Sequence, residues 1–159
     1  MLKKKSDALK RAFNEIMKAI VLTKKNMGRE FQEAQLEMAQ AKFAAGEFGV
    51  TVRDSVKQKT NVYLTVSIEN VAGVMKPTFN LQGTKDGDDG TNILGLTGGG
   101  QAIMKAQEKY KKYLELLVAI ASLQAQFSVM ERELKLTNRR VNALEFVVIP
   151  RIEKTIKWI

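Results

Sequence analysis

The 159-residue chain carries 26 Lys and Arg against 17 Asp and Glu, a net charge of +9. It has neither cysteine nor histidine, which excludes a disulfide framework, nearly every zinc constellation and the commonest general base. A basic balance admits nucleic acid, acidic membrane surfaces or acidic proteins as partners, but residues 1–59 hold 13 basic and 7 acidic side chains and residues 101–159 hold 11 and 6. Mixed signs of this kind mark solvated helix faces.

The first segment reads as a long helix. Leu9, Phe13, Ile16, Ile20, Thr23, Met27, Phe31, Ala34, Met38, Ala41, Ala45 and Phe48 recur in steps of four and three. One repeated step of four, Met27 to Phe31, is a stutter that locally unwinds a supercoil. The residues between are mostly good helix formers. The spacing predicts a helix from about Leu2 to Phe48, with Gly46 and Gly49 blurring its end, inside an N-terminal coiled-coil region of residues 1–58. Lys3, Lys4 and Lys5 resemble the start of a secretory signal, but Ser6, Asp7 and Lys10 stand where an apolar stretch should begin, so no export signal is expected.

Glycine marks the middle. Eight of the 11 glycines lie between Gly73 and Gly100. Val62, Leu64, Val66 and Ile68 alternate with Asn61, Tyr63, Thr65, Ser67 and Glu69, which predicts a half-buried strand. Asn70–Gly73 can turn. Met75, Pro77, Phe79 and Leu81 alternate again, with Pro77 confining this second strand to an edge. Residues 59–100 therefore read as a β-hairpin followed by a polar, glycine-rich loop. Gly98, Gly99 and Gly100 lack the Gly-Lys-Ser/Thr of a phosphate loop. Asp86, Asp88 and Asp89 miss calcium-loop spacing, because Gly90 and Thr97 occupy ligand positions. No cofactor or metal is expected.

Residues 101–159 form the C-terminal coiled-coil region. Ile103, Ala106, Tyr110, Tyr113, Leu117, Ile120, Leu123, Phe127, Met130, Leu134, Thr137, Val141, Leu144 and Val148 step by three and four, with a repeated three from Leu117 to Leu123. Ile152, Ile156 and Ile159 continue the stripe, and Pro150 within it should kink the helix. The longest continuous apolar run, near Leu116–Leu123, is far short of a membrane span. Neither helix can bury its stripe alone, so the two should pair antiparallel. The fold class is mainly α: a two-helix antiparallel coiled coil with a small β-hairpin and glycine-rich loop between the helices. No catalytic set accompanies it. Asn138, Arg139 and Arg140, with Asn142 beside them, are the one cluster of chemical interest, since two adjacent guanidinium groups can grip carboxylates or phosphates in a bidentate fork. Nucleic acid is not expected, for there is no aromatic interleaving and no concentrated basic patch.

The stretch Thr137-Asn138-Arg139-Arg140-Val141-Asn142-Ala143-Leu144-Glu145, followed by Val148-Ile149-Pro150-Arg151-Ile152-Glu153, resembles the signature of the D subunits of V-type proton-pumping ATPases (V-ATPases). So do Leu2-Lys3-Lys4-Lys5-Ser6-Asp7-Ala8-Leu9, Ala41–Phe48, Asn70-Val71-Ala72-Gly73-Val74 and Leu116-Leu117-Val118, in order and with a eukaryotic flavour. The resemblance implies a non-catalytic central-stalk rotor that couples ATP hydrolysis in the ring to proton transport. It implies contacts with the F subunit of the stalk, with the A and B subunits of the catalytic ring and with the subunit on the membrane ring. It also implies a cytoplasmic place on the cytosolic face of vacuolar or other endomembranes, without membrane insertion. Asn138, Arg139, Arg140, Asn142 and Arg151 match the signature as partner-contact or shaft-bracing residues. Family members usually extend further at both ends, so this chain is expected to lack their outer ends, and its loop at Gln82–Thr91 is unlike most of them. From the residues alone, a coiled-coil scaffold without rotation remains the alternative, and a helix lying on an acidic membrane is a third reading that paired stripes disfavour.

Overall fold

A computed structural model describes residues 2–55, 62–83 and 98–159. In chain order these form helix α1 (Leu2–Ala45), the short helix α2 (Gly49–Ser55), strands β1 (Val62–Val71) and β2 (Val74–Gly83), helix α3 (Gly100–Ala143), a π turn over Leu144–Val148 and helix α4 (Ile149–Trp158). The protein is mainly α, a coiled coil of α1 with α3 carrying a two-stranded antiparallel hairpin. The aspartates 86, 88 and 89 and most of the glycine-rich loop lie outside the described residues.

The chain divides into two compact units, one of Met1–Ile20, Ile68–Thr78 and Ser122–Ile159, the other of Val21–Ser67 and Phe79–Ala121. In the first, Leu9, Ile16 and Met130 are buried with Val74, and Ala12, Phe13, Ile20, Phe127, Val129 and Leu134 pack around them. The Phe13 and Phe127 rings lie 4.8 Å apart in a tilted pair, a favoured aromatic geometry. Lys3 is ion-paired with Glu145, and Ser6 is bonded to Asn138. Partner numbers fall as α1 numbers rise, so the helices run antiparallel.

The second unit repeats the arrangement. Ala41, Ile103 and Ala106 are buried, flanked by Ala45, Phe48 and Ala102. Phe31 faces Tyr113 at 5.2 Å, and Lys109 Nζ sits 2.6 Å from Glu33 Oε2. The hydrogen bond to Lys109, then its charge, holds the Glu33 carboxyl below the usual carboxylate range, and the same bond raises Lys109. A lowered carboxylate contributes stability above its unfolded value and loses it as pH falls through the folded value. Acid titration of the melting temperature should therefore show a loss below the ordinary carboxylate range that Glu33→Gln removes. Salt should weaken the same contribution, because Glu33 is exposed and Lys109 only half-buried.

Helix α1 stops three residues short of the expected Phe48. Gly46 takes φ +69° and donates its N–H to the Lys42 carbonyl at 3.0 Å, a left-handed terminus that glycine adopts without penalty. Phe48 packs on the Ala41 cluster even so.

The hairpin departs further from expectation. Ala72 and Gly73 both have positive φ, 53° and 81°, as a two-residue turn between right-twisted strands demands. The Gly73 N–H is also bonded to Asn70 Oδ1 at 3.0 Å. The alternation is present, but the apolar positions of β1 are not inside. In the first unit, Val74 is buried against Leu9, Ile16 and Met130, and Thr78 meets Gln126, while Ile68 and Met75 are exposed. In the second unit Val62, Leu64 and Val66 are exposed as well. The hairpin turns its more polar face to the helix because Ser122 and Gln126 offer hydrogen bonds there: Gln126 Nε2 donates to Thr78 Oγ1 at 3.1 Å and to Ser122 Oγ at 3.4 Å.

This arrangement bears on the apolar character of α3. The helical stretch Gly100–Trp158 contains one 18-residue window long and apolar enough to cross a membrane by length and composition, although its longest unbroken apolar run is short. Between Ser122 and Met130 the helix is covered on one side by α1 and on another by the hairpin, and no charged residue lies between Glu115 and Glu131. Burial accounts for only part of this stretch, since 22% of the window is buried.

Candidate functional site

The signature residues lie on the last turns of α3 and just beyond, within the first unit. Successive helical residues are separated by about 100°, so one string of neighbours serves two surfaces. Thr137 is buried on the face toward α1, and Asn138 is half-buried beside it. The Ser6 hydroxyl, itself buried, donates to Asn138 Oδ1 at 2.9 Å. The bond joins α1 to α3. Replacing it with alanine leaves a buried hydroxyl without its acceptor, so Asn138→Ala should cost about 1–3 kcal/mol, read by urea unfolding. Ser6→Ala in the same chain should recover part of that loss, because both partners are then gone.

Arg139, Arg140, Asn142 and Arg151 are exposed. Among the described residues, no ion pair engages the three arginines.

The sequence predicts a kink at Pro150, and the helix answers that proline with the π turn. Proline lacks an N–H and its ring crowds the carbonyl four residues back; widening the helix by one residue relieves both. The Ile149 N–H bonds to the Leu144 carbonyl, five residues back. Single π turns inside helices are rare and recur at functional sites. Here the turn displays Phe146, 74% exposed, and Val147, 51% exposed. Sequence reasoning passed over both. The usable signal was Pro150 itself, since a π turn just before a proline shifts the helical phase of the residues it contains. Gln126 and Ser122 were also missed, as polar residues on a helix are ordinarily read as solvated.

No group of three or more carboxylates that could hold a metal is present among the described residues. What the described residues show is a coiled coil with a hairpin insertion and with exposed arginines outside any ion pair among them, which defines the class as a coiled-coil protein.

Comparison with known proteins makes that class specific. The family model for the D subunit of ATP synthase matches residues 1–159. The chain is 44% identical over all its 159 residues to the V-type proton ATPase D subunit of Caenorhabditis briggsae, covering 60% of that protein. Identity is 43% to the V-type proton ATPase D subunits of Caenorhabditis elegans and of Dictyostelium discoideum, covering 61% and 62% of their lengths. The chain belongs to the ATP synthase D-subunit family. It spans about three fifths of the length of the curated relatives it matches.

Proposed function

We propose that this chain serves as the central-stalk D subunit of a V-type proton ATPase, the rotor that carries the torque of ATP hydrolysis in the catalytic ring toward proton transport. The observation that carries the reading is the joint one: D-subunit similarity over the whole chain together with α1 and α3 packed antiparallel in both units. A part that transmits torque must resist twisting, and paired helices do so because each stripe residue is locked among residues of its neighbour. The Ser6–Asn138 bond adds a polar lock that opposes sliding, since a shifted register would bury both groups unpaired. The chain itself hydrolyses nothing in this reading.

Its partners are the F subunit of the stalk, the A and B subunits of the ring and the subunit on the membrane ring. Its place is the cytosolic face of an endomembrane, peripheral and without insertion of its own. Arg139, Arg140, Asn142 and Arg151 contact partners, and Asn138 braces the shaft. The test is affinity purification of the tagged full-length chain with purified A, B and F subunits. Stoichiometric capture of all three is expected. Failure to bind any of them would leave the chain a coiled-coil scaffold and end the rotor reading.

A further inference from the structure

We propose that the open edge of β1 is a pairing surface for a second copy of this chain, the two β1 strands meeting antiparallel about a two-fold axis at Thr65. The proposal is independent of the stalk reading.

The sheet has two strands, and no third joins it among the described residues. Ala72 and Gly73 form a two-residue turn. Val71 and Val74 are then the first bonded pair, and the odd-numbered residues of β1 turn their main-chain groups toward β2. Thr65 Oγ1 donates to the Asn80 carbonyl at 3.3 Å, and Asn80 Nδ2 donates to Ser67 Oγ at 3.3 Å, as that register requires. The even-numbered residues, Val62, Leu64 and Val66 in the second unit, point their N–H and C=O groups to the open side. Such a row of main-chain groups is a template for another strand.

Proteins blunt an open edge with lysine, proline or a cover. Strand β2 carries Lys76 and Pro77. Strand β1 carries neither lysine nor proline. From Val62 to Ser67 it has no charge, no proline and no glycine, and all but the final serine are good strand formers. That is the composition of a segment that pairs with its own kind. Nor is it covered, for Val62, Tyr63, Leu64 and Val66 are all exposed.

The occupant follows from the order of the residues. About an axis at Thr65, Leu64 of one copy lies opposite Val66 of the second copy, and Tyr63 opposite Ser67; Thr65 lies opposite itself. Apolar meets apolar, hydroxyl meets hydroxyl, and no charge meets its like, which are the pairs that stabilise an antiparallel ladder. A charged partner finds no countercharge in this run. The whole chain carries +9, so two copies repel one another and salt screens that repulsion. Pairing through an uncharged edge should therefore tighten as salt rises, the reverse of a contact made by charge.

Sedimentation of the full chain from micromolar to millimolar concentration is expected to show monomer giving way to dimer, more readily at high than at low sodium chloride. Leu64→Lys with Val66→Lys sets lysine opposite lysine twice. It should weaken the dimer at least about tenfold with unchanged far-ultraviolet circular dichroism. A mixture of the Leu64→Lys chain with the Val66→Glu chain should restore it as a heterodimer, because the introduced charges then face one another. Under air oxidation Thr65→Cys should give a disulfide-linked dimer, since residues opposite each other at a pair without hydrogen bonds have Cα atoms about 4.5 Å apart. Val62→Cys should not, because its two copies would stand about 20 Å apart along the strands. Should the lysine pair disturb the fold, Thr65→Cys decides. A monomer throughout the range, a dimer untouched by the lysines, or a disulfide at position 62 and none at position 65 would overturn the proposal.

Discussion

Gly99→Ala should lower the stability of the second unit by roughly 2–4 kcal/mol. Two independent causes combine. Gly99 has φ +83°, a backbone conformation that an L side chain adopts only under strain. A Cβ at that position would also lie 2.8 Å from the Ala45 Cβ, 2.9 Å from the Ala44 carbonyl carbon and 2.9 Å from the Ala45 nitrogen. Two of these are main-chain atoms of α1 and cannot swing aside. The Gly99 carbonyl also accepts the Ala102 and Ile103 N–H groups that open α3, so movement to relieve the clash would disturb the start of that helix and the Ala41–Ile103–Ala106 cluster beside it. Gly46→Ala is the informative comparison: it shares the positive φ, 69°, but a Cβ there meets nothing within 4 Å. It should cost about 1 kcal/mol. Equal losses for the two, measured by denaturant unfolding, would remove the steric part of the argument.

Met130→Asp should unfold the first unit. Met130 is 1% exposed and touches the cluster of Leu9, Ile16 and Val74, so it is the point where α1, α3 and the hairpin meet. A carboxylate placed there has no cation to pair with among the residues of that cluster. It must either remain buried and charged or take up a proton, and the cost is about 3–5 kcal/mol. Met130→Leu keeps the volume and should cost less than about 1.5 kcal/mol. Loss of near-ultraviolet signal and of helicity is expected for the aspartate variant, with recovery at low pH as the carboxyl is neutralised. A fully helical, cooperatively melting Met130→Asp protein at neutral pH would show that Met130 is not at a core.

The coiled-coil stripes were legible because their cause is local. Leu9, Ile16, Ala34, Ala41, Ile103, Ala106, Ile120, Met130 and Thr137 were all picked out by steps of three and four, and all are buried. Period marks the stripe, although Phe31, Leu117, Leu144, Val148, Ile152, Ile156 and Ile159, picked out by the same spacing, are exposed. It does not identify a face covered by something distant in sequence. Ser122 and Gln126 are buried because the hairpin, more than 40 residues earlier, lies on them through Thr78, and nothing near positions 122 and 126 announces that. The hairpin shows the same limit in reverse. Alternation in Val62–Ile68 correctly indicates a strand, but which face turns inward is decided by what α3 presents, and α3 presents hydrogen-bonding groups. At the candidate site the string Asn138-Arg139-Arg140 was visible as a unit, whereas its division into an internal brace and an external arginine face comes from the 100° step between neighbours.

The most direct test of antiparallel pairing exploits the natural absence of cysteine. Two double-cysteine variants of the full chain, Phe13→Cys with Phe127→Cys and Phe31→Cys with Tyr113→Cys, replace the ring pairs whose centroids stand 4.8 Å and 5.2 Å apart. Treated with a short bis-maleimide at micromolar protein, both should cross-link rapidly within one chain, while the four single-cysteine variants should not. Cross-links that form only between chains, or in neither variant, would contradict the pairing of α1 with α3 and the stalk function built on it.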